Sequence, residues 1–176
     1  GGGLRCTTNS DPTLVNVLIS GNTASQEGGG VFCYNSDPSF INVTISGNVS
    51  SIDDGGGMFI KKSSSVNLMN TILWGNTSNE IEFASVDDSS WITISYSNID
   101  GGQDSIVTND NGTVTWGSGN IDVDPRFIDS ENSNYHLLAS SQLINAGDST
   151  TFDSDGTIAD IGAYPYLNSY SGPTWY

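Results

Sequence analysis

Three glycine triplets spaced 27 residues apart constrain this chain more than any other feature of its sequence. They occupy residues 1–3, 28–30 and 55–57. Each period closes on the same phrase, a residue followed by Gly-Asn, at residues 20–22, 46–48 and 74–76. A fixed period between about 20 and 50 residues is typical of solenoids, in which each repeat stacks on the next.

Each period contains two short β-strands and no helical pattern. After each triplet the first and third residues are apolar and are predicted to face inward, while the residue between them faces outward, as Val31 and Cys33 flank Phe32. This inward–outward alternation indicates a strand with one buried face. A second run rich in Val, Ile and Thr follows, and Asn, Ser, Asp, Gly and Pro fill the gaps. The pattern predicts an all-β parallel β-helix, a β-solenoid with about 27 residues per coil in the N-terminal half.

Stacked coils place equivalent residues one above another, about 4.8 Å apart. The alignment therefore predicts ladders of identical side chains, in which each Asn amide donates to the Asn of the next coil. Two asparagine ladders and one inward-facing cysteine pair are predicted: Asn16, Asn42 and Asn70; Asn22, Asn48 and Asn76; and Cys6 with Cys33.

The two cysteines could form a disulfide or remain thiols. Neighbouring coils bring their Cα atoms close enough for a bond, but in-register parallel neighbours point their side chains the same way, which suits disulfide geometry poorly. Two buried thiols are the favoured interpretation, and the disulfide stays open.

Regularity decreases along the chain. We expect regular coils over residues 1–79, with Ile81, Phe83, Ile92 and Ile94 facing inward beyond them, and less regular coils over 80–125. Residues 126–166 are expected to form a terminal coil and cap. Residues 167–176 are expected to be a linker or the start of a following module. Because the chain starts inside a repeat, it is expected to be part of a longer polypeptide.

The charge balance excludes several partners. Four Lys and Arg residues stand against twenty Asp and Glu, for a net charge of −16. Nucleic acid recognition requires a basic surface, and no apolar stretch approaches the roughly 18 residues of a membrane span. We therefore expect neither nucleic acid binding nor membrane insertion.

Catalytic groups are scarce. A lyase acting on uronates needs a cation and a base, and the candidates are Arg5, Lys61, Lys62 and Arg126. Lys61 and Lys62 have no basic neighbour in the adjacent coils. Arg5 aligns with Phe32 and Phe59, which predicts an arginine stacked on outward aromatic rings. The single histidine, His136, is expected on the surface of a strand. No catalytic residues are predicted.

An acidic turn is the candidate metal site. Asp153, Asp155 and Asp160 surround Gly156, and alternating carboxylates with a glycine at a sharp turn suit an oxygen-ligand calcium loop. Calcium is therefore a possible but not required cofactor, and the alternative is a hydrogen-bonded turn. Asp122 and Asp124 are a second, weaker candidate.

The repeated phrases at residues 10–17 and 28–31 resemble the right-handed parallel β-helix domains of large secreted bacterial surface proteins. Five later segments resemble the C-terminal end of such domains, in order: residues 95–102, 120–129, 135–137, 144–148 and 159–164. The resemblance covers about residues 1–166. It implies a right-handed helix, export, and a cell-surface or extracellular location.

The expected function is a non-catalytic structural or adhesive rod outside the cell. Its expected partners are further copies of itself or neighbouring β-helix domains, because uncovered coil ends expose backbone groups that can template another strand. The alternative is a carbohydrate-binding or polysaccharide-cleaving β-helix, with Trp74, Trp91 and Trp116 as candidate sugar platforms and a glycan as the partner.

Overall fold

The computed structural model describes residues 1–51, 54–86 and 88–167. Most of the predicted linker, residues 168–176, lies outside this range. No helix within the described ranges is long and apolar enough to cross a membrane. Helical structure there consists of two 3-10 turns, Gln103–Ser105 and Ser130–Asn132.

The rest of the ordered structure is β, as predicted. The strands are β1 (Leu4–Thr7), β2 (Thr13–Ser20), β3 (Thr23–Ala24), β4 (Val31–Tyr34), β5 (Ser39–Ser46), β6 (Val49–Ser50), β7 (Met58–Lys61), β8 (Ser65–Met69), β9 (Ile72–Trp74), β10 (Ile81–Phe83), β11 (Ser90–Ser95), β12 (Asn98–Ile99), β13 (Gly112–Trp116), β14 (Phe127–Asp129) and β15 (Asn134–Leu137).

The first face of the solenoid is a parallel sheet of four strands in the order β1-β4-β7-β10, one from each of four successive coils. Its register is the one predicted, because Cys6 pairs with Cys33 and Cys33 pairs with Ile60. Phe83 of β10 continues this inward column, Ile81 continues the neighbouring inward column through Met58, and both are fully buried. The parallel β-helix predicted from the repeat is therefore confirmed.

The other faces meet at a bend within each coil. β2 and β5 continue through the bend, at Asn16 and Asn42, and both asparagines adopt the left-handed conformation, with φ of 56° and 52°. In the third coil the strand is interrupted at Asn70, so that β5 pairs with β8 before the bend and with β9 after it. Asparagine tolerates this conformation better than other residues with a side chain, which explains its recurrence here.

One continuous apolar core fills the interior. Each coil contributes from its several faces, as Val31, Phe40 and Ile45 do in the second coil, and all three are fully buried. Ile92 and Ile94 of β11 are fully buried, as predicted. Burial of Val, Ile, Leu and Phe side chains contributes about 1.5–3 kcal/mol each relative to exposure, so this column is the main source of stability.

The less regular region still follows the solenoid. β11 pairs with β8 on one side and with β13 on the other, so residues 80–116 form a fourth coil and much of a fifth. Isolated bridges at Val107 and Ile121 complete the fifth coil where no full strand forms. Short Gly- and Asn-rich segments explain why pairing is reduced to single bridges here.

The C-terminal segment does not continue the stack of parallel coils. β14 and β15 form an antiparallel hairpin, and the chain then runs along the side of the solenoid. Leu143 and Ile161 pack against Ile72 of β9, and the backbone N–H of Ala163 donates to Thr44 Oγ1 of β5 at 3.0 Å. The outward side chains of β5 and β9 include apolar and hydroxyl groups that contact the C-terminal segment, so this flank of the solenoid is covered by it.

The aromatic residues expected on an outer face do point outward, but they are not exposed. Phe32 and Phe59 stack with ring centroids 6.4 Å apart and are 1% and 4% exposed. The Arg5 guanidinium lies 4.2 Å from the Phe32 ring centre, as predicted, and the Lys61 ammonium lies 5.8 Å from it. The cations and Ala84 pack against the rings, so these aromatics form a second packing layer outside the main core.

Candidate functional site

A ladder of asparagines, half-buried at its first member and buried at the other two, runs along the solenoid at the Gly-Asn turn. Asn22 Nδ2 donates to Asn48 Oδ1, and Asn48 Nδ2 donates to Asn76 Oδ1, each at 2.9 Å. The backbone N–H groups of Asn22 and Asn48 donate to the same two oxygens. The amides of Asn48 and Asn76 also donate to the carbonyl groups of Ile19 and Ile45 in the preceding coils. The three residues therefore tie successive turns together.

Glu80 terminates this ladder. Its carboxylate accepts from the backbone N–H of Asn76 at 2.9 Å and from Asn76 Nδ2. The fourth coil has Gly102 where the earlier coils have asparagine, so it supplies no amide, and Glu80 reaches back from the preceding connection. Burial raises the pKa of Glu80 to about 7, although the hydrogen bonds from Asn76 oppose the shift. The predicted alignment did not include this residue.

The second predicted ladder lies at the bend between the strands. Asn42 Nδ2 donates to Asn16 Oδ1 at 3.2 Å, and Asn70 Nδ2 donates to Asn42 Oδ1 at 3.0 Å. Asn16 is exposed and Asn70 is buried. Burial increases along the ladder because the C-terminal segment covers Asn70, whose Oδ1 also accepts from the backbone N–H of Asp148 at 2.8 Å.

Further ladders, which the alignment of the repeats does not predict, use small hydroxyl side chains. Ser64 Oγ accepts from the backbone N–H of Ser36, and Ser90 Oγ accepts from that of Ser64, at 3.3 and 3.2 Å. A similar pair at another corner joins Thr71 to Ser97. The recurrence of serine at equivalent coil positions was the available signal, but serine is too common in this chain for that signal to stand out.

The two cysteines are free thiols and both are buried. They occupy directly paired positions in β1 and β4. A hydrogen bond with Cys6, together with complete burial, raises the pKa of the Cys33 thiol well above its ordinary value. The same hydrogen bond lowers the pKa of the Cys6 thiol, but Cys6 is also buried. Because both thiols lie away from solvent, the pair acts as core packing.

All four cationic side chains have partners. Lys61 Nζ lies 2.6 Å from Glu27 Oε1, and Lys62 Nζ lies 3.3 Å from Asp88 Oδ2. Arg5 stacks on the Phe32 ring, and Arg126 Nη1 donates to Ser140 Oγ at 3.1 Å. Arg5 and Lys61 both lie against the Phe32 ring, and each of the four cations is already engaged by a partner, whereas neutralising a uronate carboxylate would need a cation free to face the substrate.

His136 is exposed on strand β15, as predicted. Its ring stacks on Tyr164 with centroids 4.5 Å apart, and Nδ1 lies 3.0 Å from Asn134 Oδ1. These contacts join the β14–β15 hairpin to the C-terminal segment. They give the ring a structural role in that attachment.

The acidic turn predicted as a calcium site is closed by backbone hydrogen bonds. Asp160 Oδ1 accepts from the N–H of Asn145 at 2.7 Å, and Asp153 Oδ2 accepts from the N–H of Asp160 at 3.1 Å. Asp155 Oδ1 accepts from the hydroxyl and the N–H of Thr157. Burial raises the pKa of Asp153 and of Asp160.

Within the described ranges no group of three or more His, Cys, Asp or Glu side chains is arranged to hold a metal ion. Asp122 and Asp124, the weaker candidates, serve separate turns: Asp122 Oδ1 accepts from the N–H of Gly101, and Asp124 Oδ1 accepts from the N–H of Arg126. Calcium binding at Asp153, Asp155 and Asp160 stays a prediction.

A lateral groove of about 630 Å³ opens between the solenoid and the β14–β15 hairpin. One wall is formed by two successive coil turns at residues 46–47 and 74–75, and the hairpin forms the other. Its principal side chains are three aromatic and three charged residues: Trp74, Phe127, Tyr135, Asp124, Arg126 and Glu131. We call this site the lateral groove.

The three tryptophans proposed as sugar platforms occupy different environments. Trp74 is half-buried and lines the lateral groove. Trp116 is half-buried and packs on the main core. Trp91 is 46% exposed on β11, among the outward-facing residues of a flat face. Only Trp74 of the three therefore combines an accessible ring with a concave surface.

A family model described as "right handed beta helix region" matches residues 1–148. The matched range extends from the first glycine triplet through both asparagine ladders to the chain that follows the hairpin. No curated protein and no solved structure matches the chain.

Proposed function

This chain belongs to the right-handed β-helix family, and on that premise we propose that it is a non-catalytic structural or adhesive β-solenoid acting outside the cell. The observation that carries the proposal is the ladder from Asn22 to Glu80, which links successive turns by side-chain as well as backbone hydrogen bonds. Such cross-linking resists bending between coils and suits a rigid rod.

The engaged cations support a non-catalytic role. Lys61 is paired with Glu27, and Arg5 lies on the Phe32 ring, so neither is presented to a substrate carboxylate. The net charge of −16 further opposes the approach of an anionic polysaccharide. High acidity with little lysine also suits a soluble protein of the cell surface or extracellular space, which is where we place it.

Enzyme assays test the non-catalytic role. The purified protein, incubated with polygalacturonate, alginate and neutral polysaccharides, is expected to release neither unsaturated uronate products nor new reducing ends. Product formation that is abolished by Arg126→Ala or Lys61→Ala, with folding preserved, would overturn the proposal in favour of a polysaccharide-cleaving β-helix.

We further propose that copies associate through coil ends. β13 is a terminal strand of its sheet among the described residues, and a terminal strand offers unpaired backbone donors and acceptors. Because every copy carries a net charge of −16, association should strengthen as salt screens the repulsion. Light scattering and electron microscopy across a salt series should show end-to-end particles, and monomers at every concentration and salt would exclude this association.

The second candidate function is that of a carbohydrate-binding β-helix. The observation favouring it is the lateral groove, which combines aromatic and charged side chains in a concave surface. Adhesion to a glycan is compatible with a rod, because a rigid rod can hold the groove away from the surface to which the protein is attached.

A further inference from the structure

The lateral groove is assembled from parts that are distant in sequence. Gly47 adopts a φ of 64°, and a Cβ at this position would lie 3.4 Å from the hydroxyl of Tyr135. The coil turn and the hairpin are therefore in direct van der Waals proximity at this end of the groove. The groove forms because the C-terminal segment folds back along the flank instead of continuing the stack.

The apolar part of the groove is pre-formed. Phe127 and Tyr135 pack edge to face, with ring centroids 5.1 Å apart and an interplanar angle of 79°. Trp74 packs against the same flank cluster as Phe127. Rings held by such contacts lose little conformational freedom when a ligand binds, which favours affinity.

The polar part is fixed in the same way. Asp124 Oδ1 accepts from the backbone N–H of Arg126 at 2.8 Å, and the Arg126 guanidinium donates to Ser140. Glu131 is exposed at the start of the hairpin turn. Both donors and acceptors of hydrogen bonds therefore line one groove, with two carboxylates and one guanidinium giving a net negative local charge.

We propose that the lateral groove binds a neutral glycan segment, with Trp74 as the platform for one sugar ring and the charged side chains as partners for its hydroxyl groups. This inference rests on the adhesive form of the proposed function. A sugar ring presents an apolar C–H face and a rim of hydroxyl groups, so it matches a surface that places aromatic rings beside hydrogen-bonding groups. The volume lies within the range of about 300–1,000 Å³ typical of small-ligand sites.

Charge selects against an anionic ligand. Asp124 and Glu131 outnumber Arg126 locally, and the whole chain carries a net charge of −16. A uronate oligosaccharide would meet repulsion from the groove and from the protein as a whole. Neutral oligosaccharides avoid this cost and can donate hydrogen bonds to the carboxylates.

The test uses the described chain and three trisaccharide probes: cellotriose, tri-N-acetylchitotriose and trigalacturonate. Calorimetry and saturation-transfer NMR should detect at least one neutral trisaccharide and no trigalacturonate. Trp74→Ala should weaken that binding by about tenfold or more, which corresponds to about 1.4 kcal/mol. The matched control, Trp91→Ala, removes an exposed ring outside the groove and should change affinity by less than about twofold.

Folding is monitored by circular dichroism and thermal melting, because Trp74 also contacts the flank cluster. If Trp74→Ala unfolds, Glu131→Gln and Leu138→Ala, both at exposed positions in the groove, replace it. Failure of both neutral probes to bind, preferential binding of trigalacturonate, or equal losses in Trp74→Ala and Trp91→Ala would overturn the inference. None of these results bears on the non-catalytic rod, which is tested by the enzyme and scattering assays.

Discussion

Glu80 accepts hydrogen bonds from both the backbone N–H and the side-chain amide of Asn76. In this way a carboxylate ends a column that asparagines carry through three coils. A terminal asparagine without a partner would leave buried donors unsatisfied, at a cost of about 1–3 kcal/mol. Glu80 removes that cost but introduces a titratable group, 5% exposed, beneath the surface.

Stability should therefore depend on the protonation of Glu80. Its pKa is about 7 in the folded protein and near 4.5 in the unfolded chain. Because the folded-state pKa is the higher one, the folded protein binds more protons between these values, and stability falls as the pH rises from 4.5 to about 7. The loss attributable to this residue is about 3 kcal/mol.

Urea unfolding of wild type and Glu80→Gln at several pH values measures this effect. At low pH the variant should be less stable than wild type, because the Gln NH₂ group faces a donor of Asn76 and cannot accept its hydrogen bond. The stability of the variant should nevertheless vary less with pH than that of wild type. Glu131→Gln, which removes the same charge from an exposed position, should keep the wild-type pH dependence. Parallel curves for wild type and Glu80→Gln would show that another group titrates.

The two asparagine ladders should differ in their contribution to stability. In Asn48→Ala the backbone N–H of Asn22 loses its acceptor, and the Ile19 carbonyl and Asn76 Oδ1 each lose a donor. The Asn48 side chain that supplies these bonds is fully buried. Several unmet hydrogen bonds should lower the free energy of unfolding by about 3 kcal/mol or more. Chemical denaturation measures the loss.

The control for that change is Asn16→Gly in the exposed ladder. Glycine keeps the left-handed conformation that Asn16 adopts, with φ of 56°, so only the side-chain contact is lost. The expected cost is under about 1 kcal/mol. Equal costs for the two variants would mean that burial does not govern the strength of these ladders.

The repeat made the coil register predictable, because identical residues at a fixed spacing can stack in only one way. Cys6 with Cys33, and Asn22 with Asn48, follow directly from alignment of the periods. Glu80 did not follow, since it replaces an asparagine from a position that lies outside the repeat. Glu80 takes this role because Gly102, at the next position of the ladder, has no side chain. The proximity of Glu80 to that position becomes visible only in the folded chain.

The lateral groove was predictable only in part. The Trp74 side chain was identified as a possible platform from its residue type. Its neighbours Phe127 and Tyr135 come from a hairpin whose position against the solenoid is set by contacts such as that of Ala163 with Thr44. A repeat specifies contacts between successive coils, and it carries no information about a segment that folds back across several of them.

Calcium at the acidic turn is testable by melting experiments. If Asp153, Asp155 and Asp160 hold the ion, calcium should raise the melting temperature relative to chelator, because it would neutralise Asp153 and Asp160, whose burial disfavours their charged forms. Asp155→Asn should abolish the shift, and Asp110→Asn, an exposed acid on another loop, should preserve it. Identical calorimetric traces with calcium and with chelator would leave the turn as a purely hydrogen-bonded structure.

The glycine triplets should be required by the close approach of two backbone segments within a coil and not by backbone conformation alone. A Cβ on Gly56 would lie 1.8 Å from the carbonyl oxygen of Thr77, so Gly56→Ala forces two backbones apart and should prevent cooperative folding. Gly75 adopts a φ of 65° with no atom within 4 Å of an added Cβ. Gly75→Ala should cost only the conformational penalty, about 1–2 kcal/mol. Denaturation midpoints compare the two, and equal stability would contradict the close approach that makes the triplet necessary.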